Sequence, residues 1–239
     1  MERNAIITGA GRRVGAAIAS ALLGDGWRVF AHVHHADDGV PEGSSKVVAD
    51  LAEAGCGETI FEAIEGPVTL LVNNAARFAW DGFGDASADE FDAHMAVNAR
   101  APMLLIDALA KRHAAGSEAL VVNILDAKLA GPNPDYLSYT LSKYAAAGLT
   151  ELAARALAGR GIRVNAIAPA LMLPSGPQDE AAYARVHALN PLARGVEVDD
   201  VIGALRFLIG QPSITGTTLT IDGGQRFLGL PRDVQFLER

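Results

Sequence analysis

The sequence predicts an α/β fold: a doubly wound parallel sheet of about seven strands, with helices on both faces, in one domain over 1–239. Three observations carry that reading. Short apolar runs alternate with amphipathic stretches along the whole chain. The first run passes straight into a glycine turn and then a helix. No internal repeat, low-complexity tract or linker breaks the rhythm. Strand–helix alternation implies right-handed crossovers, which cover both faces of a parallel sheet.

The elements follow in order. Ala5, Ile6 and Ile7 read as a buried strand. Val14, Ile18, Ala21 and Leu22 share one side of a helix over 13–23, stopped by Gly24 and Gly26. Strands are predicted over 27–33, 46–49 and 68–72. The connection 34–45 holds Gly39, Pro41 and Gly43, so it reads as a loop. A long helix is expected over 91–109, then a strand over 119–124. A second long helix spans 139–157, with a strand at 163–166, a helix at 199–209 and a last strand at 217–221. Residues 171–191 carry Pro174, Gly176, Pro177 and Pro191 around a helical piece at 180–189. A long irregular insert beside a sheet suits a substrate lid.

Half of the residues are apolar, 20% are charged and 6% aromatic, which argues against disorder. Lys and Arg total 20 against 28 Asp and Glu, a net charge of −8. An acidic surface is not drawn to nucleic acid or to an anionic membrane. Cys56 is the single cysteine, so no intrachain disulfide forms, and an inert thiol is expected. With no signal peptide visible and no apolar run of membrane length, a cytoplasmic protein is expected.

The turn Thr8-Gly9-Ala10-Gly11-Arg12-Arg13-Val14-Gly15 stands between strand and helix. Glycines admit a pyrophosphate to the backbone, and a helix N-terminus supplies N–H donors. The spacing is not G-x-G-x-x-G, because Val14 holds the last position and Arg13 stands where a middle glycine often does. Alone, the motif is also readable as a structural turn. An NAD site needs an acid at the end of the second strand. Here that strand ends in His34-His35-Ala36, and with Arg12 and Arg13 nearby this favours NADP, the two histidines serving the 2′-phosphate. His32, His34 and His35 also admit a metal-site reading, though no carboxylate at the expected spacing supports it.

Tyr139 and Lys143 lie one helical turn apart and so are neighbours. A nearby cation lowers a tyrosine from about 10, which would make Tyr139 a usable general acid near neutral pH.

Together, Thr8 to Gly15, Asn73-Asn74-Ala75, Asn98, Tyr139 with Lys143, Arg163-Val164-Asn165 and Asp222-Gly223-Gly224 occur in the order of the short-chain dehydrogenase/reductase family. The chain resembles that Rossmann-type family over essentially its whole length. The resemblance implies that Tyr139 protonates the substrate and that Lys143 binds the nicotinamide ribose and tunes Tyr139. It implies that Asn98 holds a relay water, that Asn74 lines the cofactor channel and that Asp50 meets the adenine. Gly9, Gly11, Arg12, Arg13, Val14, Gly15, His34, His35, Leu51, Ala75 and Pro169 complete the expected NADP contacts.

The family usually places a serine 13 residues before the tyrosine. Here that position is Asp126. An ionised Asp repels a developing alkoxide and cannot donate a hydrogen bond. A C=N bond differs, because its nitrogen needs a proton. With Arg12-Arg13, Asp126-Ala127, Tyr139-Thr140 and Phe78, the pattern is similar to the pteridine reductase branch, including the bacterial dihydromonapterin and dihydrofolate reductases. That resemblance implies a pterin-like substrate held by Arg13, Phe78, Asp126 and Tyr139, with Leu171 and Met172 making an apolar wall. Alternatives are a general carbonyl reductase, such as a 3-oxoacyl reductase, and a non-catalytic dinucleotide-binding protein. Asp126 is also readable as a buried structural acid, and Phe78 and Trp80 as core or lid residues. Arg77, Arg160 and Arg163 are expected at the surface. The family commonly forms tetramers through its two long helices, so 91–109 and 139–157 are expected to face partner subunits. The stretch 227–239 is expected as an arm toward another subunit.

Overall fold

A computed structural model of the chain describes residues 3–173 and 180–237. Seven parallel strands form one sheet: β1 (Asn4–Ile7), β2 (Arg28–Val33), β3 (Ser45–Val48), β4 (Val68–Asn73), β5 (Ala119–Ile124), β6 (Ile162–Pro169) and β7 (Thr218–Ile221). Their order is β3-β2-β1-β4-β5-β6-β7. The order reverses between β1 and β4, where an open α/β sheet leaves a crevice at the strands' carboxyl ends.

The inner strands carry consecutive apolar residues because both of their faces are covered, whereas the edge strands β3 and β7 are more polar and more exposed. Ile6, Leu71, Val121 and Val164 point to one side, where they pack on α2 (Cys56–Glu62), α4 (Ala101–Arg112) and α5 (Leu137–Leu157). Ile7, Leu70, Val72 and Val122 point to the other, against α1 (Arg13–Gly24) and α7 (Val198–Gly210). Residues 34–44 form the expected loop. The short α2 was not expected. Cys56 at its start is buried, and burial pushes its thiol up, away from reactivity.

The helix expected over 91–109 is instead three pieces: α3 (Ala88–Met95), a π-helical turn (Ala96–Arg100) and α4. Ser87 starts α3 by accepting from the Glu90 N–H. Pro102 has no N–H to give the Asn98 carbonyl, so the regular ladder fails there and the turn widens.

The second long helix begins at Leu137 rather than Tyr139. Asp81, distant in sequence, caps it. Its carboxylate accepts from the Ser138 N–H at 2.9 Å and from the Ser138 hydroxyl, and its carbonyl accepts from Leu137 N–H at 3.2 Å. Tyr136, just before the helix, takes left-handed dihedrals (φ 55°) that reverse the chain into it. Of the expected lid 171–191, residues 174–179 lie outside the described residues, and α6 (Glu180–His187) supplies its helical piece. No helix among the described residues is long and apolar enough to cross a membrane.

Candidate active site

A cleft of about 1220 Å³ opens at the carboxyl ends of the strands. A drug-sized ligand takes roughly 300–1,000 Å³. The cleft therefore has room for a dinucleotide and a second small molecule. Every expected cofactor and substrate residue lines it, from Gly9 through Arg12, Arg13, Val14, Asp50 and Leu51 to Pro169, Leu171 and Met172.

The glycine turn is braced from β4. Thr8 Oγ1 accepts from the N–H groups of Asn74 and Ala75, at 2.9 and 3.0 Å, and Asn74 Nδ2 donates to the Thr8 carbonyl at 2.9 Å. Gly9 has φ +65°, and a Cβ on Gly15 would meet the Gly9 carbonyl oxygen at 2.2 Å, so neither position tolerates a side chain. Arg13 has φ +53° without being glycine, so it sits in a strained conformation at the mouth of α1.

At the end of β2, the rings of His34 and His35 stack at 4.0 Å. His34 Nε2 stands 3.6 Å from Asp50 Oδ2. The metal-site reading loses its third member: His32 is buried, its Nδ1 accepts from the Gly9 N–H at 3.2 Å, and its Nε2 lies 3.0 Å from the Ala49 carbonyl. Among the described residues, no group of three or more His, Cys, Asp or Glu is placed to hold a metal.

Across the cleft, Tyr139 Oη donates to Asp126 Oδ2 at 2.8 Å. The other oxygen of Asp126 accepts from the Lys128 N–H at 2.8 Å. Lys143 is buried and donates to the Ile124 carbonyl at 2.7 Å, with its ammonium 5.6 Å from the Tyr139 ring centre. The expectation that Lys143 lowers Tyr139 is corrected here. Burial and the Asp126 carboxylate hold the phenol well above 10. Burial also raises Asp126, and it lowers Lys143 to about 8. The phenol is thus kept protonated, as a proton donor must be.

Phe78 edges Tyr139 at 4.7 Å and stacks on Tyr136 at 4.4 Å, leaving one face toward the cleft. Asn98 was expected to hold a relay water. Its side chain does not line the cleft: it donates to the Arg77 carbonyl and to Ser142 Oγ, both at 2.9 Å, and accepts from the Arg77 N–H at 2.8 Å. It braces a turn. Arg77 is no free rim charge either, since it forks onto Glu90 at 2.8 and 2.7 Å. Arg163, expected at the surface, turns inward and donates to the carbonyls of Ile214 and Leu208. Trp80 is half exposed rather than in the core.

Of the stretch expected as an arm, residues 238 and 239 lie outside the described residues. The tail folds onto its own chain, and Leu230, Asp233, Val234 and Gln235 line the substrate end of the cleft. With Tyr136 and Lys128, these residues were absent from the sequence reading.

A family model described as enoyl-(acyl carrier protein) reductase matches residues 9–226. The chain belongs to the short-chain dehydrogenase/reductase family. Among solved structures of the family, it is similar to FolM alternative dihydrofolate reductase 1 from Brucella suis in complex with NADP. That similarity has a TM-score of 0.86 and 35% identity, covering 94% of this chain and 95% of the other. Among family sequences, L-xylulose reductase of Bos taurus is 32% identical, covering 93% of this chain and 96% of its own. Pteridine reductase 1 of Leishmania tarentolae is 31% identical, covering 92% and 95%. The similar FolM structures hold NADP, and the glycine cradle, the room in the cleft and the basic residues at its mouth fit that cofactor.

Proposed function

We propose that the protein is an NADPH-dependent reductase of a dihydropterin or related pteridine, with Tyr139 as the proton donor. The observation that carries this reading is the hydrogen bond from Tyr139 to Asp126, at the position where the family usually keeps a serine. In ketone reduction, the charge that develops sits on oxygen, and a carboxylate beside it is unfavourable. In C=N reduction the nitrogen takes a proton, which a phenol backed by a carboxyl group can deliver. A carboxylate also suits ring N–H donors.

Bound NADPH supplies the hydride. The chain's own residues do the rest. Gly9, Gly11 and Gly15 let the backbone close on the pyrophosphate, while Arg12, His34 and His35 receive the 2′-phosphate. Lys143, Asn74, Ala75 and Pro169 flank the nicotinamide half, with Asp50 and Leu51 at the adenine. Phe78 and Arg13 hold the flat ring, and Leu171 and Met172 keep water from it. The domain is taken as one unit over 1–239, and the protein as cytoplasmic. A homotetramer is supported by the largely apolar groove along α3, the π-helical turn, α4 and α5, where Met95, Met103 and Leu149 line a hollow, and sedimentation equilibrium tests it.

The deciding experiment is NADPH consumption at 340 nm with dihydrobiopterin, dihydromonapterin and dihydrofolate, beside L-xylulose and an acetoacetyl thioester. Turnover of a pterin alone is expected. Turnover of the sugar or thioester alone would replace this reading with a carbonyl reductase, which the xylulose reductase relatives favour. Tight NADPH binding with no turnover on the whole panel would replace it with a dinucleotide-binding protein.

A further inference from the structure

The tail returns to the substrate end and is latched there. Arg232 Nε donates to both oxygens of Asp135 at 3.0 and 2.8 Å, and the Asp233 N–H adds a bond at 2.7 Å. Asp135 is buried, and these donors hold its carboxyl below the usual range. Beyond the latch, Gln235 Oε1 accepts from the Tyr136 hydroxyl at 2.8 Å, and the Phe236 ring stacks on Tyr136 at 6.0 Å.

Lys128 joins this tail to the chemistry. Its side chain is only 8% exposed. Its ammonium donates to the Asp135 carbonyl at 2.5 Å and lies 3.4 Å from Asp233 Oδ2. Its backbone N–H donates to Asp126 Oδ1, and the other oxygen of Asp126 holds Tyr139. One residue therefore spans from the tail carboxylate to the proton donor's partner.

We propose that Asp233 is a positioning residue of the reaction centre: it holds Lys128, and through it the turn that aims Asp126 at Tyr139. An almost buried ammonium needs a carboxylate partner. Without Asp233, Lys128 keeps the Asp135 carbonyl and the Tyr136 ring 5.4 Å away but no countercharge, and the turn loses the tie that fixes it. The Asp233 charge acts in the same place, adding to the proton affinity of both Asp126 and Tyr139. The other charged groups facing the pair are Lys143 from α5 and Lys128 from the turn after β5; the titratable His94 of α3 also faces it, with its Nε2 accepting from the Ala79 N–H at 3.2 Å and its Nδ1 3.1 Å from Glu90 Oε1.

Asp233→Asn keeps the shape and removes the charge. The basic limb of kcat should move to lower pH by about one unit, as expected for a charge lost at short range in a partly buried site. Asp233→Ala also removes the anchor, and kcat should fall about tenfold or more. Asp233→Glu should recover part of it. The NADPH dissociation constant should stay within about twofold throughout, since the tail lies at the substrate end. Absorbance titration of the phenol, taken as the difference between each protein and its Tyr139→Phe form, reads the same shift without any substrate. An Asp233→Asn protein whose limb and titration both match the parent overturns the proposal. The limb is measured on whichever substrate the protein turns over, so failure here is separate from failure of the pterin reading.

Discussion

The Tyr139 hydroxyl donates a 2.8 Å hydrogen bond to Asp126, thirteen residues earlier in the chain. The bond couples two acids, each made harder to ionise by burial. Their protons come off as properties of the pair rather than of either residue. A site built this way is set to give protons.

Tyr139→Phe should abolish the donor and leave the cleft intact. General-acid removal costs roughly 10²–10⁴ in rate. We expect kcat to fall by that range while NADPH binding, read by fluorescence quenching, changes less than about twofold. Retained turnover would remove Tyr139 from its assigned role.

Asp126→Ser should lower pterin reduction more than any ketone activity, because serine restores a donor suited to a carbonyl oxygen. Equal losses on both substrates would make Asp126 structural only. Asp126→Asn should instead stabilise the fold at neutral pH. A carboxyl raised on folding costs stability above its folded value, and that cost fades as pH falls toward about 4. The gain in Tm, roughly 2–4 °C for each ~1 kcal/mol relieved, should shrink as pH falls through the raised folded value and vanish near pH 4. A flat difference across that window would contradict the burial argument.

His34 and His35 stand where the 2′-phosphate is expected. Replacing both with alanine should weaken NADPH binding about fivefold or more, at ~1 kcal/mol for exposed charge contacts, and leave NADH unchanged. Titration calorimetry with both cofactors would check this. Parallel losses for NADPH and NADH would place the phosphate elsewhere.

Arg13 occupies a left-handed position that glycine takes without strain. Arg13→Gly should raise Tm by relieving about 1 kcal/mol of backbone strain, yet bind NADPH less tightly through the lost charge. A fall in Tm would show that the side-chain contacts of Arg13 outweigh the strain.

The sheet was legible because buried strands need consecutive apolar residues, and Ala5 to Ile7 or Ala119 to Ile124 supply little else. Tyr139 and Lys143 were legible through helical spacing, and Asp126 through its fixed offset from Tyr139. Residues paired across long separations were not. Arg232 meets Asp135, and Gln235 meets Tyr136, with nothing local to mark either partner. Asp81 caps α5 from a different loop for the same reason. The break at residues 96–100 had one available signal, Pro102, whose missing N–H marks where a regular ladder stops. Arg163 reads as a surface charge in sequence because only the fold shows the carbonyls at the end of α7 that it satisfies.

All seven strands leave the ribosome before Arg232 does. A nascent chain can thus complete its sheet and its glycine cradle while the far wall of the cleft is still unmade. Until Arg232 reaches Asp135, Tyr136 lacks its Gln235 and Phe236 partners and Lys128 lacks Asp233. The far wall of the cleft thus depends on a few residues that belong to no strand and to no α-helix.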